Sequence, residues 1–176
     1  MKKIIPLFLL SFISFFVTSC DNNDNDAIPV QNNTALAQMK DITGTFSSSG
    51  GYTISQGLNI LNTDVVLVYR NINSNTSSSA IWQLLPKTFF LSNGRELDYN
   101  FIFNSQNVDI STQANFDQAT MTSAEANKYL INQNFRIVLI PADPAGKGAK
   151  VDYNDYNSVI KFYNIDESKV VKTKVN

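Results

Sequence analysis

The chain has 176 residues, with 14 lysines and arginines against 15 acidic residues, one cysteine and no histidine. The missing histidine removes the commonest general base, the Ser-His-Asp arrangement and most transition-metal sites. One cysteine rules out an internal disulfide and a Cys-rich metal centre, and the slightly acidic balance lacks the basic face that a nucleic-acid partner calls for.

The amino terminus reads as an export signal. Lys2 and Lys3 are followed by about 14 mostly apolar residues, from Ile4 to Val17, which is the pattern of a secretory n-region and h-region. A stable spanning helix would need roughly 20 such residues. The run ends at Val17-Thr18-Ser19-Cys20, which resembles the lipobox of bacterial lipoproteins. That resemblance implies cleavage before Cys20 and attachment of a diacylglycerol to its sulfur. Residues 1–19 are therefore expected to be a signal peptide, and Cys20 the lipidated first residue of the mature chain. Each buried methylene contributes about 0.8 kcal/mol, so two or three acyl chains would hold the protein at a membrane durably.

Removing residues 1–19 leaves 157, the length of one domain, with 12 basic against 15 acidic side chains. Asp21 to about Gln38 is polar, Asn-rich and interrupted by Pro29. With Cys20 it is expected to form a flexible tether over residues 20–40, and a single globular domain is expected over 41–176.

Within the domain, Tyr52, Ile54, Leu58 and Ile60 suggest one or two early strands. Asp64 to Arg70 is apolar on both alternating faces and predicts a central strand covered on both sides. A polar loop, Asn71 to Ser79, leads to Ile81, Trp82, Leu84 and Leu85, stopped at Pro86. Thr88 to Ser92 meets Asn93-Gly94, a pair suited to a turn needing positive φ at both centres. The return strand turns Leu97, Tyr99, Phe101 and Phe103 one way, and Glu96, Asp98, Asn100 and Ile102 the other. Another alternating strand carries Val108 and Ile110. Thr122-Ser123-Ala124-Glu125 has capping-box spacing for a short helix to about Leu130. Phe135 to Ile140, ended by Pro141, predicts a second strand buried on both faces. After the loop at 142–150, Tyr156, Val159, Ile160 and Tyr163 fall at helical spacing. They predict a helix over about 153–163, with Asp152 as its cap. Six to eight short strands with one or two helices, one near the carboxyl terminus, predict a mainly β domain: an antiparallel β-sandwich or open sheet.

Candidate chemistry is sparse. Glu96, Asp98 and Asp109 are the acids available for a carboxylate-based hydrolase, but they fall on solvent-facing strand positions. Asp152-Tyr153-Asn154-Asp155 lacks the Gly and distal Glu of an EF-hand loop, and Asp21, Asp24 and Asp26 lie in the tether. Pro144 to Lys150 contains a Gly-Lys pair without the other residues of a phosphate loop. No cofactor site is expected. Trp82 and its aromatic neighbours offer a stacking platform for a sugar or peptide, or simply core.

The segments Val65 to Arg70, Trp82 to Pro86, Gly94 with Leu97, Tyr99 and Phe101, Phe135 to Ala142, and Asp155-Tyr156 with Val159-Ile160 together resemble a family of small, uncharacterised lipoproteins of the Bacteroidota. The resemblance spans the chain from about Thr45 onward. Relatives often carry a collagen-like Gly-rich stretch after the cysteine, where this chain has its Asn/Asp tether. Acids directly after a lipobox cysteine resemble the surface-export signal of such lipoproteins, and they also solvate a linker. Some members bear the automatic name dihydrolipoamide dehydrogenase, which these residues contradict. There is no GxGxxG fingerprint, no redox cysteine pair and no histidine. The expectation is a non-enzymatic, lipid-anchored cell-envelope protein at the outer membrane, on either its surface or its periplasmic face. Its partners would be the membrane through Cys20, and an envelope protein or glycan. The alternatives are a glycan- or peptide-binding module using Trp82, and, third, a carboxylate-based hydrolase.

Overall fold

The computed structural model describes residues 37–142 and 151–175; the expected signal segment, Cys20, the tether as far as residue 36 and the Gly-Lys loop lie outside them. In chain order the first elements are β1 (Gln38–Gly44), β2 (Thr53–Gly57), β3 (Val65–Asn71), β4 (Trp82–Leu84) and β5 (Lys87–Phe90). They are followed by β6 (Glu96–Phe103), β7 (Asn107–Ala114), α1 (Ser123–Tyr129), β8 (Gln133–Ile140), α2 (Tyr156–Tyr163) and β9 (Val171–Lys174). The strands form a five-stranded sheet, ordered β4-β3-β8-β1-β9, and a four-stranded sheet, ordered β2-β7-β6-β5. All pairs are antiparallel except β1 with β9. The domain is mainly β, as the alternation predicts.

Strand alternation builds three layers from this order. Val66, Val68, Phe135, Ile137 and Ile42 on one sheet meet Ile54, Leu97, Tyr99, Val108 and Ile110 on the other in one buried cluster. The opposite face of the five-stranded sheet carries Leu67, Tyr69, Val138 and Ile140 against Val159 of α2. That is why β3 and β8 read as continuous apolar runs: each is covered on both sides. The four-stranded sheet turns its other face to solvent, with Glu96 and Ile102 exposed and Leu97 and Tyr99 buried.

Local signals act as the residues dictate. Asn93 (φ 61°) and Gly94 (φ 70°) both adopt positive φ between β5 and β6. Thr122 accepts from Glu125 N, and Glu125 returns a bond to Thr122 N, closing the capping box of α1. Among the described residues no helix is long and apolar enough to cross a membrane.

Three features differ from expectation. Gln38–Lys40, counted with the tether, already pair with Leu139, Val138 and Ile137 in β1. This strand is hard to read because polar residues fall on both of its faces, Lys40 on that of Ile42 and Asp41 with Thr43 on that of Met39. Helix α2 starts at Tyr156 with Asp155 as its cap, accepting from Asn157 N at 3.1 Å. Asp152 instead closes the preceding turn, accepting from Asn154 N at 3.0 Å. Strand β9 brings the described strands to nine. Its sequence, Val-Lys-Thr-Lys, is strand-forming only through its parallel pairing with β1.

Candidate functional site

Helix α2 covers only part of the outer face of the five-stranded sheet. The rest is a cleft of about 770 Å³, lined by residues of β1, β3, β4, β8, β9, α2 and the turn at Glu167. Alternation along β8 puts Arg136 on the same face as Val138, and register sets Asp41 of β1 and Tyr69 of β3 on either side of it. Lys172 of β9 flanks Asp41 in turn, and Trp82 pairs with Asn71 at the edge of the sheet.

Arg136 is 7 % exposed and organises the cleft. Its Nε and Nη2 donate to the two oxygens of Asp41 at 2.6 and 2.7 Å. Its Nη1 donates to Glu167 Oε1 at 2.6 Å and to the Tyr156 hydroxyl. The Tyr156 hydroxyl in turn donates to Glu167 Oε1, also at 2.6 Å. The guanidinium lies 4.4 Å from the Trp82 ring centre and 5.5 Å from that of Tyr156. Burial works against its charge, but the bonds and charge of Asp41, then Tyr156, outweigh that and hold it protonated. Burial, followed by the bond to Glu167, pushes the Tyr156 phenol up, so it stays a donor. With Asp41 committed through both oxygens and the guanidinium enclosed, this network holds a surface in shape.

Asn71 is 7 % exposed at the edge of the same cleft. Its Oδ1 accepts from Asn73 N and Ile81 N, each at 3.0 Å, tying together the two ends of the loop between β3 and β4. Two backbone donors fix the amide's orientation. Its Nδ2 has no acceptor among the described residues.

On the reverse face of β3, Arg70 is 2 % exposed between the two sheets. It donates to Gln133 Oε1 from Nε and Nη2 at 3.1 and 2.6 Å, and to Lys128 O at 2.8 Å. The rings of Tyr99, Phe89 and Tyr129 surround it with centres at 4.7, 5.1 and 5.9 Å. No carboxylate of the described residues bonds to it.

The residues singled out from sequence fall in different places. Trp82 is half-buried and lines the cleft, packed on the core beneath α2 at the same time. Glu96, Asp98 and Asp109 sit on the solvated face of the four-stranded sheet. Asp98 accepts from Thr88 Oγ1 at 2.5 Å and Asp109 from Ser55 Oγ at 2.7 Å. Asp98 lies opposite Gln113, and Asp109 opposite Ile102. Four residues of strand therefore separate the two acids, about 13 Å, which is wider than a glycosidase pair. Among the described residues no three His, Cys, Asp or Glu converge in a group that could hold a metal. Sequence reasoning missed Arg136, Asp41, Glu167 and Asn71. The available signal was an arginine between Phe135 and Ile137 in a strand buried on both faces, since such a charge needs partners. Comparison with known proteins gives no match: no family model, no curated protein and no solved structure is significantly similar to the chain.

Proposed function

We propose that the protein is a lipid-anchored cell-envelope domain with a non-enzymatic role, held at the outer membrane through Cys20 and presenting the Arg136–Trp82 cleft to a binding partner. The observation that carries the anchor is the short apolar run after Lys2-Lys3 ending at the chain's single cysteine. Strand polarity supports the arrangement. Gln38, where the tether would join, pairs with Leu139, at the end of the sheet that also holds the Val65–Ile140 pair. Asn71 and Trp82 lie at the opposite end, so that part of the cleft is remote from the point of attachment. A binding role is favoured over a purely structural one because Asn71, fixed by two backbone donors at the edge of the cleft, keeps a solvent-reaching Nδ2 donor with no acceptor among the described residues.

Protease shaving of intact cells, with mass spectrometry of released and retained peptides, tests this reading. An acylated Cys20 peptide is expected in the membrane fraction, and C20A should move the domain out of it. Release of domain peptides from whole cells places the domain on the surface, and protection places it in the periplasm. A mature chain still carrying Met1–Ser19 would overturn the proposal.

A further inference from the structure

We infer that the cleft takes a neutral saccharide, stacked near Trp82 and hydrogen-bonded by Asn71, Lys172 and Glu167; this rests on the reading of the cleft as a binding site. Charge narrows the choice first. Arg136 is neutralised by Asp41 and Glu167, so it is not available to a phosphate or sulfate. That leaves Lys172 as the other cation of the lining, which also contains Asp155. An acyl chain is disfavoured as well, because it would cover the Asn71 donor without satisfying it.

The remaining groups are unevenly divided between donors and acceptors. Asn71 Nδ2, the Trp82 indole N–H and Lys172 Nζ have no acceptor among the described residues. Glu167 receives both its bonds at Oε1, leaving Oε2 as the open acceptor on the sheet side, while Asn154 and Asn157 line the exposed helix side. The sheet side of the cleft therefore wants a ligand richer in acceptors than in donors. A peptide backbone brings an N–H for nearly every carbonyl. A saccharide brings ring and bridging oxygens that only accept, and hydroxyls that accept twice for each proton given. One such hydroxyl can donate to Glu167 Oε2. Its C–H faces suit an indole, and the cleft volume falls within the range of small-ligand sites.

The chain has one tryptophan, so intrinsic emission reports on this cleft directly. The full chain in detergent micelles is titrated with cello-, xylo-, manno- and chito-oligosaccharides while Trp82 emission is followed. A saturable change with at least one of them is expected. N71D keeps the oxygen that accepts from Asn73 and Ile81 but removes the donor, and should weaken that affinity about tenfold or more with unchanged melting. If N71D fails to fold, Lys172→Met, an exposed position on an edge strand, should weaken binding several-fold. Emission that no saccharide alters, or affinity unchanged in the folded variants, overturns the inference. The same titration with a mixed tripeptide library separates the two readings. A response to peptides alone removes the saccharide and leaves the cleft a binding site, whereas silence to both removes both.

Discussion

Arg70 and Arg136 stand on adjacent strands of one sheet, one register step apart, since Arg70 pairs with Phe135 and Tyr69 with Arg136. Alternation sends them to opposite faces. Both are more than nine-tenths buried and both lie against aromatic rings, yet their partners differ in kind. Arg70, between the sheets, is held by an amide, a backbone carbonyl and three ring faces. Arg136, at the cleft, is held by two carboxylates, one of them in side-chain terms half exposed. Carboxylates inside the sandwich would have required a second desolvated charge, whereas at the cleft water can still reach Glu167. The inner arginine thus locks the packing of two sheets, and the outer one shapes a solvent-accessible surface.

Substitutions should separate these roles. R70A is expected to have the largest effect, a loss of about 3–5 kcal/mol in denaturant unfolding, because it empties a core position and leaves Gln133 Oε1 and Lys128 O without that donor. R70M fills most of the volume and removes the cation, so its cost should be smaller, about 1–3 kcal/mol. A loss below 1 kcal/mol for R70A would mean that the inter-sheet cage contributes little. R136A should cost about 1–3 kcal/mol, less than R70A, because Glu167 can return to water while Asp41 only partly can. E167Q should cost under about 1 kcal/mol, as expected for a pair with an exposed member. If R136A proved more damaging than R70A, the division between packing cation and surface cation would fail.

The same contrast explains what the sequence discloses. Strands β3 and β8 are legible because Val66–Tyr69 and Phe135–Ile140 are apolar on both faces, and each is covered by a sheet on one side and α2 on the other. The Asn93-Gly94 turn and the Thr122–Glu125 box are legible because their physics is local. Strand β1 is not, since its Asp41 is a strand residue for the sake of Arg136, 95 positions away. Glu167, 31 positions from Arg136, is equally silent. Trp82 stands out as an aromatic, but only the register shows that it borders Asn71 and the guanidinium. The address proposed from the first 20 residues and the cleft thus come from different sources: one from composition along the chain, the other from pairing across it.

The smallest expected effect is on the response to pH near neutrality, and it bears on both arginine sites at once. With no histidine, the only side-chain type of this chain that ordinarily titrates between about pH 5 and 9 is the single cysteine, Cys20, whose sulfur is blocked once lipidated as proposed. Below that window, Glu125, bonded by the Thr122 backbone and then Arg95, is held under the usual carboxylate range, as are Asp155 beside Ser158 and Asp166 beside Ser168. Their folded pKa values are depressed, so their contribution is present above the unfolded values and is lost as pH falls through the folded ones. Above the window, burial raises Tyr99 at the Arg70 cage and Tyr156 at the Arg136 cleft. Burial, then the hydrogen bond with Tyr153, raises Tyr163 to about 12. An unfolded tyrosine ionises near 10 while these remain protonated, so the folded state binds more protons and stability falls with rising pH. The melting temperature should therefore be flat from about pH 5 to 9 and decline above about 10, with tyrosinate absorbance of the buried rings appearing together with unfolding. A marked slope across the neutral range, or tyrosinate formation in a protein that stays folded at its melting plateau, would show that the aromatic walls around the two guanidiniums are wetter than their burial implies.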